Sequence, residues 1–497
     1  GGKFAIIDEK GNDVDYTIIK SRDLTDYVLS QTIMLDPSRK FYVPDQVLEV
    51  TMAIKANDVP ALGYVQYSID TQKDSHKETA DKKVLENKYY TIEVEENGSL
   101  TIVDKANNVT YKNQGILVEN GDDGDSFNYS PPRKDMEVFS NESKCTVKIS
   151  GSDIYDQAEI HFDMVVPADL DERAEGKVSV TMLVDMTVAL RKDSKVIDFN
   201  VKVDNKGLSH RLCVLFDSQI VSAFNYADQQ FGLIKRPNYY EKEMKLYMES
   251  MNNKTEKKAG IQELANWAND QSTWQEPPIS IEPTQSYVSL TDGKTGIAVI
   301  PQGVREYEVL DDSKIRLTLF RTYGFMGKEN LIYRPGRASG ERIIETPAAQ
   351  LLKEMEFNFG FTSYAGDIND SDIDTLAKQY NTNLEVYTYA EFFNGRLIFS
   401  QREIEGQNAK IHSLFETEGN LVVSAVKKAE EDDGYIIRLY NGKDHKDLDD
   451  KIKFNFDIKE AYYTNLKEEK TEEIKVENNT LSVKELSHCK FVTIWVK

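Results

Sequence analysis

Lys177-Val178-Ser179-Val180-Thr181-Met182-Leu183-Val184-Asp185-Met186-Thr187-Val188-Ala189-Leu190 runs into Arg191-Lys192-Asp193-Ser194 and then into Val196-Ile197-Asp198-Phe199-Asn200-Val201-Lys202-Val203. In the second run Ile197, Phe199, Val201 and Val203 fall on one face, because successive side chains of a strand point to opposite sides. The two runs therefore predict long antiparallel strands, 177–190 and 196–203, joined by a polar turn. Strands of this length, in a stretch of roughly 300 residues with few helical patterns, point to a large twisted sandwich of two antiparallel sheets rather than a small barrel.

Upstream, Tyr89 to Val94 and Ser99 to Val103 flank Glu95-Glu96-Asn97-Gly98, and Asn-Gly between alternating strands is a strong hairpin signal. Residues 4–70 also read as β structure, with strands at Phe4–Ile7, Tyr16–Ile19, Val47–Ile54 and Val65–Ile69. Thr71 to Lys83 is polar and without periodicity, and is expected to be a linker. Two helices are expected, Glu241–Ser250 and Asp370–Tyr380, the second with Ile373, Leu376 and Ala377 as its apolar stripe. A further β region is expected from Leu384–Ile404 through Val422–Ala425, Tyr435–Tyr440 and Ile452–Phe456 to Phe491–Val496. The expected organisation is all-β: residues 1–75 as the remainder of a small β domain, 76–383 as a central supersandwich, and 384–497 as a C-terminal β-sandwich.

The 497 residues carry 61 Lys and Arg against 84 Asp and Glu, a net charge of −23. That balance disfavours nucleic acid as a partner. No run approaches the roughly 18 apolar residues that span a bilayer. Cys145, Cys213 and Cys489 are far apart and suggest neither a disulfide framework nor a zinc ribbon, which fits a cytoplasmic location. The chain opens Gly1-Gly2-Lys3-Phe4-Ala5-Ile6 without an initiator Met, so a fragment of a longer polypeptide is expected.

The six histidines, His76, His161, His210, His412, His445 and His488, never lie within one helical turn of each other, which argues against a local zinc site. His161-Phe162-Asp163 reads as ordinary alternation on an exposed sheet face. A nucleophile elbow, a phosphate-binding loop and a dinucleotide fingerprint are all absent from the sequence. Sugar hydrolysis needs two opposed carboxylates, and 84 acidic residues offer too many to choose from by spacing.

Two stretches stand out. Arg321 to Gln350 contains Arg321, Arg334, Arg337 and Arg342 among glycines and prolines, and Arg334-Pro335-Gly336-Arg337 reads as a turn. These arginines either pair with neighbouring carboxylates or hold a ligand. Gly121-Asp122-Asp123-Gly124-Asp125-Ser126-Phe127-Asn128-Tyr129-Ser130-Pro131-Pro132 reads as a structured loop whose aromatic and hydrogen-bonding groups suit a sugar ring, with a plain turn as the competing reading. Both are candidate contacts for one sugar, so the two loops are expected side by side at one edge of the central sandwich.

With these loops the chain resembles the C-terminal, all-β half of the bacterial α-mannosidases of glycoside hydrolase family 38. The resemblance rests on several motifs in order: Val59-Pro60-Ala61-Leu62-Gly63-Tyr64, Gly124-Asp125-Ser126-Phe127-Asn128-Tyr129-Ser130-Pro131, His210-Arg211-Leu212, Phe231-Gly232, Arg236-Pro237, Arg334-Pro335-Gly336 and Thr346-Pro347-Ala348-Ala349-Gln350. Ser424-Ala425-Val426-Lys427-Lys428-Ala429 and Arg438-Leu439-Tyr440-Asn441 complete it. It implies a central supersandwich of the galactose-mutarotase type and an α-mannoside or mannose-containing oligosaccharide as substrate. It also implies that the zinc ion, its ligands and the nucleophile belong to an N-terminal catalytic half, with no catalytic or metal residue in this chain. By loop position it implies Phe127 and one of Arg334 or Arg337 as sugar contacts, and Asp125 and Tyr129 of the same motif complete the candidate set. Where the family often has Tyr, Phe127 lacks a hydroxyl, and Tyr129 is the expected substitute. A homo-oligomer is left open. An aldose 1-epimerase, which needs a His acid and a carboxylate base on one sheet face, and a non-catalytic carbohydrate-binding module are the rival readings.

Overall fold

The computed structural model describes residues 4–30, 46–253, 276–335, 344–387, 413–444 and 446–497. At its centre lies a ten-stranded antiparallel sheet running from Gly232–Pro237 at one edge to Ala80–Asp81 at the other. Its longest strands, Tyr155–Val166, Val180–Arg191 and Glu354–Ala365, have 12 residues each. Alternation explains why they form: Met182, Val184, Met186, Val188 and Leu190 are fully buried on one face of Val180–Arg191, while their neighbours turn outward. Val184 lies opposite Phe162 on one side and Val203 on the other, so apolar rows continue from strand to strand.

That apolar face packs against a six-stranded sheet, containing Ile116–Gly121, His210–Asp217, Glu306–Leu310 and Lys314–Arg321, and a four-stranded sheet of residues 85–114. Phe199 stacks on Phe359 at 5.2 Å and Phe216 on Phe361 at 5.4 Å between ring centroids. The hairpin expected around Asn97-Gly98 is present as Tyr90–Val94 and Leu100–Asp104.

A second sandwich lies near the C-terminus. Phe415–Thr417, Leu448–Phe454, Thr480–Leu486 and Val476–Glu477 form one sheet; Val422–Lys428, Tyr435–Tyr440, Phe491–Val496, Ala461–Thr464 and Lys470–Glu473 form the other. Near the N-terminus, Asp13–Val14, Ala5–Asp8 and Tyr67–Asp70 make a three-stranded sheet, and Tyr16–Asp23 pairs with Leu48–Ile54. Both expected helices occur, at Glu241–Asn253 and Ile373–Asn381. Among the described residues no helix is long and apolar enough to cross a membrane.

The expected linker, Thr71–Lys83, is instead fixed to its neighbours. Ser75 is buried, donating to Val14 O at 2.8 Å and accepting from Ile6 N at 3.2 Å. Ala80–Asp81 adds an edge strand beside Gly151, and Lys82 pairs with the fully buried Asp156 at 2.5 Å. A two-residue strand and a single buried serine leave no periodic trace in a sequence. Of the expected strand Leu384–Ile404, residues 388–404 lie outside the described residues, and residues 384–387 form no strand.

The C-terminal sandwich is held to both other regions. Leu414 N donates to Leu62 O at 3.2 Å and Ser413 Oγ to Ala61 O at 2.7 Å. Lys443 Nζ reaches Asp374 at 2.5 Å, and Leu233 N donates to Gly442 O at 2.9 Å.

Gly98 tests the hairpin. It has φ +80°, and a Cβ there would sit 2.5 Å from Cε1 of the buried Phe162. Gly98→Ala is therefore expected to destabilise the central sandwich by well over the roughly 1 kcal/mol that Gly-to-Ala changes gain at compatible sites, read as a lower urea midpoint; an unchanged or higher midpoint would contradict this account.

Candidate functional site

The loop of residues 122–130 follows the strand Ile116–Gly121, and the segment of residues 322–335 follows the strand Lys314–Arg321. In the six-stranded sheet both of these strands flank His210–Asp217, so their exits bring the two loops together at one edge, as the sequence predicted. Arg321 closes the contact from one side. Its Nε donates to Asp122 Oδ2 at 2.6 Å, and its Nη2 to Asp122 Oδ1 at 3.1 Å and to the Asp125 and Asn128 carbonyls at 2.9 Å each. Arg334 closes it from the other side, pairing with the Asp125 carboxylate and the Asn128 side chain and donating to Lys328 O at 3.1 Å.

Asp125 also accepts from the backbone N–H groups of Phe127, Asn128 and Lys328 at 3.0, 3.1 and 2.8 Å. Burial opposes its ionisation, but Arg334 and these three donors outweigh burial and hold its carboxyl below the usual carboxylate range. At Asp122 burial wins and the carboxyl is pushed up, against the pull of Arg321. Gly124 is required by close approach, since a Cβ there would lie 2.0 Å from Asn128 O.

The candidate residues thus divide. Asp125, Tyr129 and Arg334 are buried inside the cradle, whereas Phe127 at its tip is 60% exposed. Tyr129 is no ready substitute for a sugar-facing hydroxyl: its Oη accepts from Asn120 Nδ2 at 3.0 Å, and its ring lies under the Arg211 guanidinium at 3.9 Å. Arg337 and Arg342 lie outside the described residues. Met326 and Ile344 are exposed beside Phe127. Ser126 Oγ donates to Met326 O at 2.6 Å and Met326 N to Ile344 O at 2.7 Å, so the three apolar side chains come from adjoining segments.

Beneath the cradle both faces of the six-stranded sheet bury polar groups that sequence reading missed. On the outer face Arg211 Nε and Arg316 Nη2 share Asn120 Oδ1 at 3.0 and 3.1 Å, and Arg211 Nη2 donates to Glu308 at 2.9 Å. On the inner face His210 Nδ1 lies 2.9 Å from Glu119, and Arg173 of the short helix Leu170–Glu175 pairs with the same carboxylate. Asn205 donates its amide to two carbonyls, so its Oδ1 receives His210 Nε2–H at 2.9 Å. A His and a Glu therefore do converge on one sheet face, contrary to the inference from their scatter in the sequence. Both are at most 1% exposed, however, and Arg173 seals them from any sugar. The only available signal was the parity of Glu119 and His210 along two strands not yet known to be neighbours.

Among the described residues no group of three or more His, Cys, Asp or Glu side chains could hold a metal ion. The residues of the cradle do not fit one either, since Asp122 and Asp125 are already committed to arginines.

Two family models match the chain: the C-terminal domain of glycosyl hydrolases family 38 over residues 85–325, and that family's C-terminal beta sandwich domain over residues 420–493. Fold and matches define the β region of a glycosyl hydrolase. The chain belongs to glycosyl hydrolase family 38, and it carries that family's C-terminal region. A putative mannosylglycerate hydrolase of Halalkalibacterium halodurans is 23% identical over 420 residues, covering 80% of this chain and 40% of the relative. A family 38 protein from Enterococcus faecalis superimposes with a TM-score of 0.72 at 19% identity, and an alpha-mannosidase from Enterococcus faecalis V583 with 0.73 at 20%. The chain is covered completely in both, and spans 52% and 51% of their lengths.

Arg334→Ala would leave the buried Asp125 carboxylate without its guanidinium. Loss of one partner of a buried pair costs about 3–5 kcal/mol, and a loss of that size is expected in denaturant unfolding; a loss under about 1 kcal/mol, the range of exposed pairs, would show that the pair is no brace. The low-lying Asp125 carboxyl also fixes a sign. Its stabilisation is complete above the ordinary carboxylate value of about 4 and is lost as the pH falls through the depressed folded value. The Tm advantage of the wild type over Asp125→Asn is expected to be flat near neutrality and to shrink on acidification, whereas a growing gap would contradict the assignment.

Proposed function

We propose that this chain is the C-terminal β region of an enzyme that cleaves α-mannosides, organised as 1–75, 76–383 and 384–497, and that its 122–130 loop borders the sugar site. The observation that carries the reading is the cradle. Two arginines and two buried aspartates hold a loop rigid at the sheet edge, and the residue it presents is an exposed phenylalanine, a type suited to stack on a sugar ring. Family membership supplies the reaction class, and the names of two relatives, a mannosylglycerate hydrolase and an alpha-mannosidase, support a mannosyl group in the substrate.

The cradle itself does not supply the chemistry. Retaining hydrolysis needs a nucleophilic and an acid/base carboxylate about 5 Å apart, and Asp122 and Asp125 are both buried and bonded to arginines. In this reading the catalytic carboxylates, and the zinc that the family resemblance implies, belong to the part of the relatives that this chain does not span. The chain contributes position: it supports the catalytic half from the adjoining segments that carry the exposed Phe127, Met326 and Ile344, and it sets one wall of the sugar site. An exposed ring adds affinity but does not favour the transition state over the ground state, so it cannot replace a nucleophile.

The test assays the purified chain on an activated aryl α-mannoside with zinc, then repeats the assay with a separately expressed N-terminal half. Turnover is expected only on mixing, and zinc-dependent turnover by the chain alone would overturn the proposal. In the reconstituted enzyme Phe127→Ala is expected to raise KM by about threefold to tenfold, the worth of one aromatic contact, with an unchanged Tm. A KM equal to that of the wild type would remove Phe127 from the site.

A further inference from the structure

Three parts of the chain meet where the C-terminal sandwich joins the central one. The hairpin of Phe224–Gln229 and Gly232–Pro237 supplies Asp228 and Leu233, the helix Ile373–Asn381 supplies Asp374, and the turn after Tyr435–Tyr440 supplies Gly442 and Lys443. Leu233 N donates to Gly442 O at 2.9 Å, and Asp444 N to Asn369 Oδ1 at 2.8 Å. Both bonds cross the junction.

Charge at the junction is uneven. Lys443 is buried, and its Nζ reaches Asp374 Oδ2 at 2.5 Å and the Ser371 carbonyl at 3.1 Å. Tyr287 Oη donates to the other oxygen of Asp374 at 2.7 Å. Asp228 is half-buried; its carboxylate accepts from Ser286 Oγ at 2.5 Å and forms no ion pair with the described residues. Arg305 acts on it from a distance, but donates to the carbonyl and side chain of Gln285. Two carboxylates therefore meet one bound ammonium.

Tyr440 faces both carboxylates from the C-terminal sandwich: burial, and then the charges of Asp228 and Asp374, hold its phenol above the usual range. Tyr287 is raised in the same way from the central side. At Asp228 burial is the largest influence and Asp374 adds to it, while Ser286 and Arg305 pull the other way; the carboxyl is pushed up to about 6. His488 is another group here that can take a proton. Its Nε2 lies 3.0 Å from Leu233 O and its Nδ1 3.5 Å from Asp444.

We propose that this junction is a proton-operated latch: a proton on Asp228 tightens the hold of the C-terminal sandwich on the central one, and loss of that proton loosens it. The sign follows from the surroundings. A carboxylate without a cation is penalised where Tyr440 and the 441–444 turn exclude water. The penalty vanishes when the group is neutral, or when the sandwiches part and water returns. Docking is therefore weakest above about pH 6, strengthens as the pH falls through that value, and gains nothing further below the ordinary carboxylate value of about 4. A rise of about two pH units corresponds to about a hundredfold in the docking equilibrium, about tenfold of it above pH 5. The Lys443–Asp374 pair fixes where the sandwiches meet, and Asp228 sets how tightly. The latch does not depend on the mannoside reading.

The test is hydrogen exchange on the 497-residue chain, read by mass spectrometry as protection factors of the peptides holding Leu233 and Asp444, so that the chemical effect of pH on exchange is divided out. Protection at both is expected to fall about tenfold from about pH 5 to about pH 7.5. Asp228→Asn should abolish the fall and keep protection near the wild-type acid value. Ser286→Ala removes a donor to the charged form and should move the midpoint to higher pH, which decides the matter should Asp228→Asn fail to fold. His488→Gln should leave the fall in place. Protection that is flat or rises toward neutrality in the wild type would overturn the proposal, as would a fall that survives Asp228→Asn or vanishes only in His488→Gln.

Discussion

Two guanidinium groups reaching into the carboxylates of a neighbouring loop turn the edge of the central sandwich into a defined surface. Without Arg321 and Arg334, the two buried aspartates of the 122–130 loop would keep backbone N–H donors but lose the guanidinium groups that pair with them. Isolated charges are not left inside proteins, because desolvation costs several kcal/mol per ion. The pairs therefore act less as a source of net stability than as a condition on geometry: the loop is stable only where both arginines can reach it, and that place fixes Phe127.

The same logic extends below the loop. Apolar residues alternate with Glu119, Asn120, His210, Arg211, Glu308 and Arg316 along strands of the six-stranded sheet, and nearly all of these polar groups are out of contact with water. A buried network of this kind is satisfied in only a few arrangements, so the loops covering the sheet have little freedom to shift. Arg173 shows the functional side of this constraint. By occupying the space in front of Glu119 and His210, it keeps an acid–base pair with suitable chemistry out of reach of any substrate.

What the sequence disclosed follows from how local each signal is. Val180–Arg191, Ile197–Asp204 and the hairpin at Asn97-Gly98 were legible because alternation and one turn dipeptide suffice to specify them. Glu354–Ala365 carries the same alternation in Met355, Phe357, Phe359 and Phe361, although no turn dipeptide marks its ends. The meeting of the two loops was inferred from a shared ligand chemistry, while its cause, the Asp122 and Asp125 pairings, spans about 200 residues of sequence and has no local mark. The division of the site was equally hidden. Asp125, Phe127 and Tyr129 occupy one short motif, and only the fold shows that the first and last face inward while the middle one faces solvent.

The contacts of Ser413 and Leu414 with Ala61 and Leu62 bear on what a break in the backbone would do. The C-terminal sandwich touches the N-terminal region here and the central sandwich through Lys443 and Gly442. It is therefore clasped from two directions by parts of the chain far from it in sequence. A protease cutting between residues 387 and 413 would sever the covalent connection without setting the last sandwich free, and the nicked molecule would migrate as one particle until a denaturant pulled its halves apart.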